Sequence, residues 1–322
     1  MNWTEVRHSF SHANSWLLGA AIAVTCGTNL IRAFRWRTLL TPLSPASVNE
    51  VFSATNIGIG ASFLFGAAVG EVVRPLALSL LSKHVRAAAS FLTILVERAC
   101  DLSVLLILFG LTLSWLPELS GRFAEIAPLS EIGMILITLS VLGLGILILF
   151  RHRLADTQNW IAKRLVGRHP TPGKVRRGAV RFLQRLGGAF SVLSKKREFI
   201  FVTLWTSGLW LSVLLANWLI LRAFGLSFGF KQTLLVMCCG LGGSLVPTPG
   251  GAAGAFHAAI SGGLVFLGVT LEQAAAISIT AHLTGFIPAL VFGSYYFLRS
   301  GLKLTTLRNE MSAAAASAQS SW

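Results

Sequence analysis

The chain has 322 residues, of which 54% are hydrophobic and only 12% charged, and its mean hydropathy is +0.70. A soluble domain carries about a quarter charged residues and has no core large enough for this much apolar surface, so a soluble enzyme is excluded and a bilayer must take up the excess. The net charge of +15 comes from clustered Lys and Arg, which fit loops facing anionic lipid and argue against a nucleic-acid groove.

A helix needs about 20 apolar residues to cross a hydrocarbon layer of about 30 Å. Stretches near 16–34, 88–111, 131–150, 199–221 and 274–298 meet that length. The first follows a polar start and lacks a small-residue cleavage site, so it is expected to be a retained span with no cleavable signal. Arg32, Arg35, Trp36 and Arg37 close it. They read as an interfacial anchor, with a secondary role in drawing in anionic head groups.

Residues 51–82 are apolar but interrupted by glycines and by Glu71, Arg74 and Pro75, so they read as two short helices joined by a bend. Glu71 and Arg74 are three apart and can share a helix face, either as a buried ion pair or as a phosphate site. Asn56 and Ser62 stand upstream to add hydrogen bonds. In the next span, Glu97-Arg98-Ala99-Cys100-Asp101 puts two carboxylates one turn apart. They repel unless a cation, a proton or an Arg lies between them, and Arg74 is a candidate for that place. A structural network and an ion- or proton-coupling site both remain open.

The loop 112–130 is poor in Lys and Arg and reads as external. Residues 151–198 hold about half of the chain's 27 Lys and Arg and read as cytoplasmic. Within them Val175, Ala179, Phe182, Leu183, Leu186 and Phe190 recur at helical spacing, which predicts an amphipathic helix on the inner leaflet or a partner site. Residues 232–268 are broken by Pro247-Thr248-Pro249-Gly250-Gly251 and predict a second bent hairpin. Open backbone at membrane depth is tolerated only against protein or a wet cavity, and its amides can hold an anion. The region from Gly240 to Gly251, with Ser244 and then His257, therefore reads as a cavity lining or, more plainly, as a tight turn. The C-terminus reads as cytoplasmic, the N-terminus as external and the Ala/Ser-rich tail 312–322 as disordered. Cys26, Cys100, Cys238 and Cys239 lie in apolar stretches and read as small hydrophobes, not as metal ligands.

The expected fold is an all-α polytopic membrane protein with five or more spans and two broken, re-entrant hairpins. The side assignments make it an inverted repeat: one unit at about 16–111, a connecting span at 131–150, the basic segment 151–198 and a second unit at about 199–298.

The order and spacing of these pieces resemble the lysylphosphatidylglycerol synthase transmembrane family, also called the flippase-like domain family. The resemblance rests on Arg32-Ala33-Phe34-Arg35-Trp36-Arg37 with Leu39 and Leu40, Asn56, Gly70-Glu71 with Arg74, Glu97-Arg98 with Asp101, Pro247-Thr248-Pro249-Gly250-Gly251 and Pro288. Gly66 and Ala68 stand where the family often has Pro and Arg, and Phe256 and His257 where it often has Glu. The resemblance implies a multi-pass protein of the bacterial inner membrane that moves or handles a lipid. Some relatives carry a cytoplasmic synthetase domain, for which the residues after the last span leave no room, so that synthase activity is not expected.

The leading expectation is a lipid flippase or translocator for a phosphate-bearing lipid. The candidate substrate-binding residues are Asn56, Glu71, Arg74, Glu97, Arg98, Asp101, Ser244, Pro247, Thr248, Gly250, Gly251 and His257. The alternatives are an accessory subunit of an envelope-lipid or lipid-linked glycan pathway, or an intramembrane enzyme in which Ser244 meets His282. No catalytic residue, metal or cofactor is assigned. The expected partners are membrane lipids, anionic phospholipid above all, with a homo-oligomer or envelope-pathway proteins left open.

Overall fold

The computed structural model describes residues 2–41, 46–82, 84–120, 123–150, 195–246, 252–303, 305–307 and 309. All regular structure among them is α-helical. The helices are α1 (Trp3–Ser11), α2 (Ser15–Leu40), α3 (Val48–Phe65), α4 (Ala67–Leu81), α5 (Ala87–Ser120) and α6 (Phe123–Phe150), then α7 (Lys196–Ala223), α8 (Phe230–Ser244), α9 (Ala253–Phe266) and α10 (Leu271–Arg299). Among the described residues, α2, α5, α7 and α10 are long and apolar enough to cross a bilayer. The fifth expected span lies in α6, whose apolar part runs over Pro128–Gly143. The amphipathic segment expected within 151–194 and the tail 312–322 lie outside the described residues.

Capping side chains set several helix starts. Asn14 accepts from Trp16 and Leu17 at the head of α2, and Ser47 with Glu50 forms a reciprocal capping box on α3. The polar N-terminal residues form α1. Asn2 caps it and donates its amide to Glu272 Oε1 at 3.3 Å, which fixes α1 to the start of α10.

Both bent hairpins are present. In the first, α3 and α4 are joined through Gly66, whose φ of 97° and ψ of 155° suit glycine alone. In the second, α8 and α9 flank residues 247–251, which lie outside the described residues. Ala252, just before α9, is left-handed at φ 61°.

Contacts between distant helices fix how these pieces lie. Asn14 N donates to Ala223 O at 2.8 Å and Phe34 stacks on Trp205, so α2 and α7 run antiparallel. Lys231 Nζ meets Glu118 Oε2 at 2.6 Å, and Thr112 donates to Cys238 at 3.3 Å, so α5 and α8 run antiparallel. On the other side of the bundle, Phe52 meets Tyr296, and Gly60 lies so close to Gly293 that a Cβ on Gly60 would stand 3.2 Å from its Cα. There α3 and α10 run antiparallel, brought together by small residues as is usual where lipid supplies no hydrophobic drive between helices. Asn49, Leu81 and Arg299 line one shared pocket, so the first hairpin opens at the C-terminal end of α10. The second hairpin opens at the opposite end, where α10 begins. The tips meet midway, as Phe63 from the first and Phe256 and His257 from the second all pack on His282 of α10.

Candidate functional site

α2 is longer than its apolar run, and that length builds the site. Leu39 and Leu40 are buried, and Trp36 and Leu40 pack with Val51, Ala54 and Leu78 of the first hairpin. That packing draws the last turns of α2 into the bundle, and Arg35 and Trp36 end with 0% exposure. The interfacial-anchor reading of Arg35 and Trp36 is thereby corrected. Arg37 is exposed, which agrees with a place at the edge.

Glu97 and Asp101, one turn apart on α5, share a face as their spacing requires. The cation between them is Arg35, not Arg74. Arg35 Nη1 lies 2.6 Å from Asp101 Oδ1 and Nη2 3.0 Å from Oδ2, while Nη2 also lies 2.7 Å from Glu97 Oε1. This is a forked pairing that Lys could not make. Arg74 comes from α4 and places Nη1 3.1 and 3.2 Å from the two oxygens of Glu97. The guanidinium of Arg74 also lies 4.0 Å over the ring of Trp36, whose Nε1 donates to Thr93 Oγ1 at 2.9 Å.

Arg98 closes the group. Its Nη2 lies 3.1 Å from Asp101 Oδ2 and 3.3 Å from Glu97 Oε1, and its Nε lies 3.6 Å from Glu71 Oε1. The expected Glu71–Arg74 pair is thus replaced by two others, because the two residues leave α4 toward different neighbours. The side chains of Arg98 and Glu71 are 41% and 43% exposed, whereas those of Arg35 and Glu97 are at 0%. The cluster has a sealed centre and an open rim. Arg32, one turn before Arg35, lies within electrostatic range of Asp101 and Glu97, so positive charge exceeds negative.

The backbone makes room for this. A Cβ on Gly58 would stand 2.6 Å from Arg74 Cβ, so glycine there lets α4 approach α3. Four buried guanidinium nitrogens keep no hydrogen-bond partner among the described residues: Nε of Arg35, Nε and Nη2 of Arg74, and Nε of Arg98. Buried charged donors are ordinarily satisfied, so these leave hydrogen-bonding capacity unmet within the cluster.

Of the candidate residues, Glu71, Arg74, Glu97, Arg98 and Asp101 come together here. Asn56 is buried nearby but is engaged within the bundle, donating to Phe52 O at 2.8 Å and accepting from Asn29 at 3.3 Å. Ser62 donates to Gly58 O. Ser244 and His257 belong to the second hairpin, away from the cluster. The Ser244 hydroxyl donates to Gly240 O at 2.8 Å, and His282 lies among aromatic rings, which gives no support to a Ser244–His282 nucleophile pair. Pro247, Thr248, Gly250 and Gly251 lie outside the described residues. No group of three His, Cys, Asp or Glu suited to a metal occurs among the described residues, and the four cysteines are free. The residues the sequence did not single out are Arg35 in its central role, Asn29, Thr93 and Thr206.

The family described as the lysylphosphatidylglycerol synthase TM region matches residues 1–293, and the chain belongs to that family. No curated protein and no solved structure matches it.

Proposed function

We propose that this member of the lysylphosphatidylglycerol synthase TM region family moves or handles a phosphate-bearing membrane lipid at the open rim of Arg98 and Glu71, beside Arg74. The observation that carries the reading is Arg74: it is buried, yet Nε and Nη2 are uncommitted, and it stands beside the exposed rim. A guanidinium with free forked donors is matched to a phosphate. The excess of arginine over carboxylate favours an anionic head group, and the acyl chains can stay in the bilayer.

The proposal includes an architecture of two units of opposite sense, α2–α5 and α7–α10. Both follow the order long, short, short, long. Their first helices pack antiparallel on each other, and the α5–α8 contact has its counterpart in α10–α3. Hairpins that enter from opposite ends and touch at His282 are suited to alternate exposure of a site near midplane. We place the protein in the inner membrane, with the ends of the first hairpin cytoplasmic.

The test is transbilayer movement of labelled phosphatidylglycerol in liposomes holding the purified protein. Movement is expected to speed up, and Arg98→Gln is expected to slow it about tenfold, the effect of one charge-assisted hydrogen bond, with protein abundance unchanged. Equal rates with and without protein would sink the reading. If Glu71→Gln and Arg98→Gln lower abundance but leave the rate per molecule intact, the charges are structural and the accessory-subunit reading takes over.

A further inference from the structure

A cavity of about 170 Å³ lies among α2, α7, α8, α9 and α10. Its walls hold the counterparts of four of the six residues in the ion-pair cluster when each position is counted from the start of its helix, while Glu71 and Arg98 match His257 and His282 outside the walls. Where α2 has Arg35, α7 has Ala216. Where α4 has Arg74, α9 has Ile260. Where α5 has Glu97 and Asp101, α10 has Ala281 and Gly285. All four replacements line the cavity.

The framework around the replaced residues is kept. Gly58 lies against Arg74, and at the matching places Gly240 lies against Ile260, a Cβ there standing 3.0 Å from Ile260 Cδ1. Ser62 donates to Gly58 O and Ser244 to Gly240 O. Thr206, which faces Arg35 in the cluster, matches Thr25 in the cavity wall. The second half has therefore exchanged two guanidinium and two carboxylate groups for small or apolar side chains, and the space they would fill is open.

The polar groups left in that space face it with oxygen. The hydroxyl protons of Thr25, Thr28, Ser244 and Thr284 go to carbonyls of their own helices at 2.8 to 2.9 Å. Asn217 Nδ2 likewise donates to Val213 O at 2.9 Å. What remains is mainly acceptor capacity in an apolar wall, with one further N–H of Asn217. None of the residues lining the cavity is ionisable, so a charged group would enter without a counter-charge and at a high desolvation cost.

We infer that this cavity is a second binding site, for an uncharged hydroxyl-bearing group such as the head of a neutral glycerolipid or a free polyol. The comparison behind it rests on the two-unit reading above, while the ligand chemistry rests on the cavity's own walls. It is distinct from the arginine-rich site, since its walls carry no charge to pair with a phosphate.

The test uses the full chain in nanodiscs, with a diacylglycerol carrying a diazirine next to its glycerol hydroxyl. Crosslinks are expected to concentrate on peptides holding Met237–Ser244, Phe256–Ile260 and Ala281–Gly285. Thr284→Val keeps the shape and removes an acceptor, and should cut capture roughly fivefold; Ala281→Phe should fill the cavity and abolish it. Competition by unlabelled diacylglycerol alone identifies a lipid source, and competition by glycerol a free polyol. Labelling spread evenly over all lipid-facing helices and unchanged in both variants overturns the inference, as does equal competition by phosphatidic acid. Capture needs no lipid movement. Strong local labelling with no acceleration of lipid exchange therefore sinks the translocation reading and leaves this one standing, and the reverse pattern does the opposite.

Discussion

Arg35 shows what one side chain does when it is placed between two buried carboxylates. With Arg35 removed, Glu97 and Asp101 face each other across one helical turn in a place shut off from water. Breaking such a group by deleting one partner costs about 3–5 kcal/mol, whereas replacing the whole group with apolar residues of similar volume is often neutral. Arg35→Met is therefore expected to lower the thermal unfolding temperature of the solubilised protein sharply, and Arg35→Met combined with Asp101→Leu to recover part of the loss, because Glu97 keeps Arg74 and Arg98 as partners. If the single and double variants unfold alike, the sealed centre is not what holds α2 to α5. The carboxylate spacing was legible in the sequence, because four residues along a helix bring side chains to one face. The identity of the cation was not. Arg35 stands in a run with Arg32 and Arg37, which resembles an interfacial belt, and only the burial of Trp36, Leu39 and Leu40 pulls it inside. The one available sign was that apolar Leu39 and Leu40 follow the arginines, which an anchor at a helix end does not need.

The hairpins show how glycine and proline act on whole elements. Gly66 joins α3 to α4 at φ 97°, and a Cβ there would meet nothing within 4 Å. Its requirement is conformational and not steric, so Gly66→Ala is expected to cost about 1–3 kcal/mol through backbone strain alone. Gly58 is the opposite case. Its φ is ordinary, but a side chain there drives into Arg74, so Gly58→Leu is expected to separate α4 from α3 and to displace Arg74 from Glu97. Comparing the two by thermal unfolding and by liposome transport separates the effects: Gly66→Ala should lower stability with transport per folded molecule kept, and Gly58→Leu should lose both. Equal losses in both variants would refute that division. The sequence displayed these breaks because few other residues bend a helix inside a bilayer. Their partners were hidden, because a hairpin's packing depends on distant helices, as where Gly60 meets Gly293 on α10.

At the scale of the whole molecule, the two hairpins open toward opposite ends of one bundle, and this determines which residues reach water on which side. Asn49, at the mouth of the first hairpin, and Ser227, in the loop before the second, are both exposed and lie at opposite ends. In the proposed orientation, the surplus of Lys and Arg in 151–198 puts its own end on the cytoplasmic side. With the four native cysteines replaced by alanine, Asn49→Cys is expected to react with a membrane-impermeant maleimide only after the cells are opened. Ser227→Cys is expected to react in intact cells. Reaction of both from the same side would show that the ends of the bundle do not lie on opposite faces of the membrane. An alternating-access scheme would then lose its geometric basis, since two re-entrant elements can expose one site in turn only if they approach it from different sides. A reversed pattern, with Ser227→Cys protected and Asn49→Cys open, would keep the architecture and invert the protein, showing that charge outside the described helices does not set its orientation.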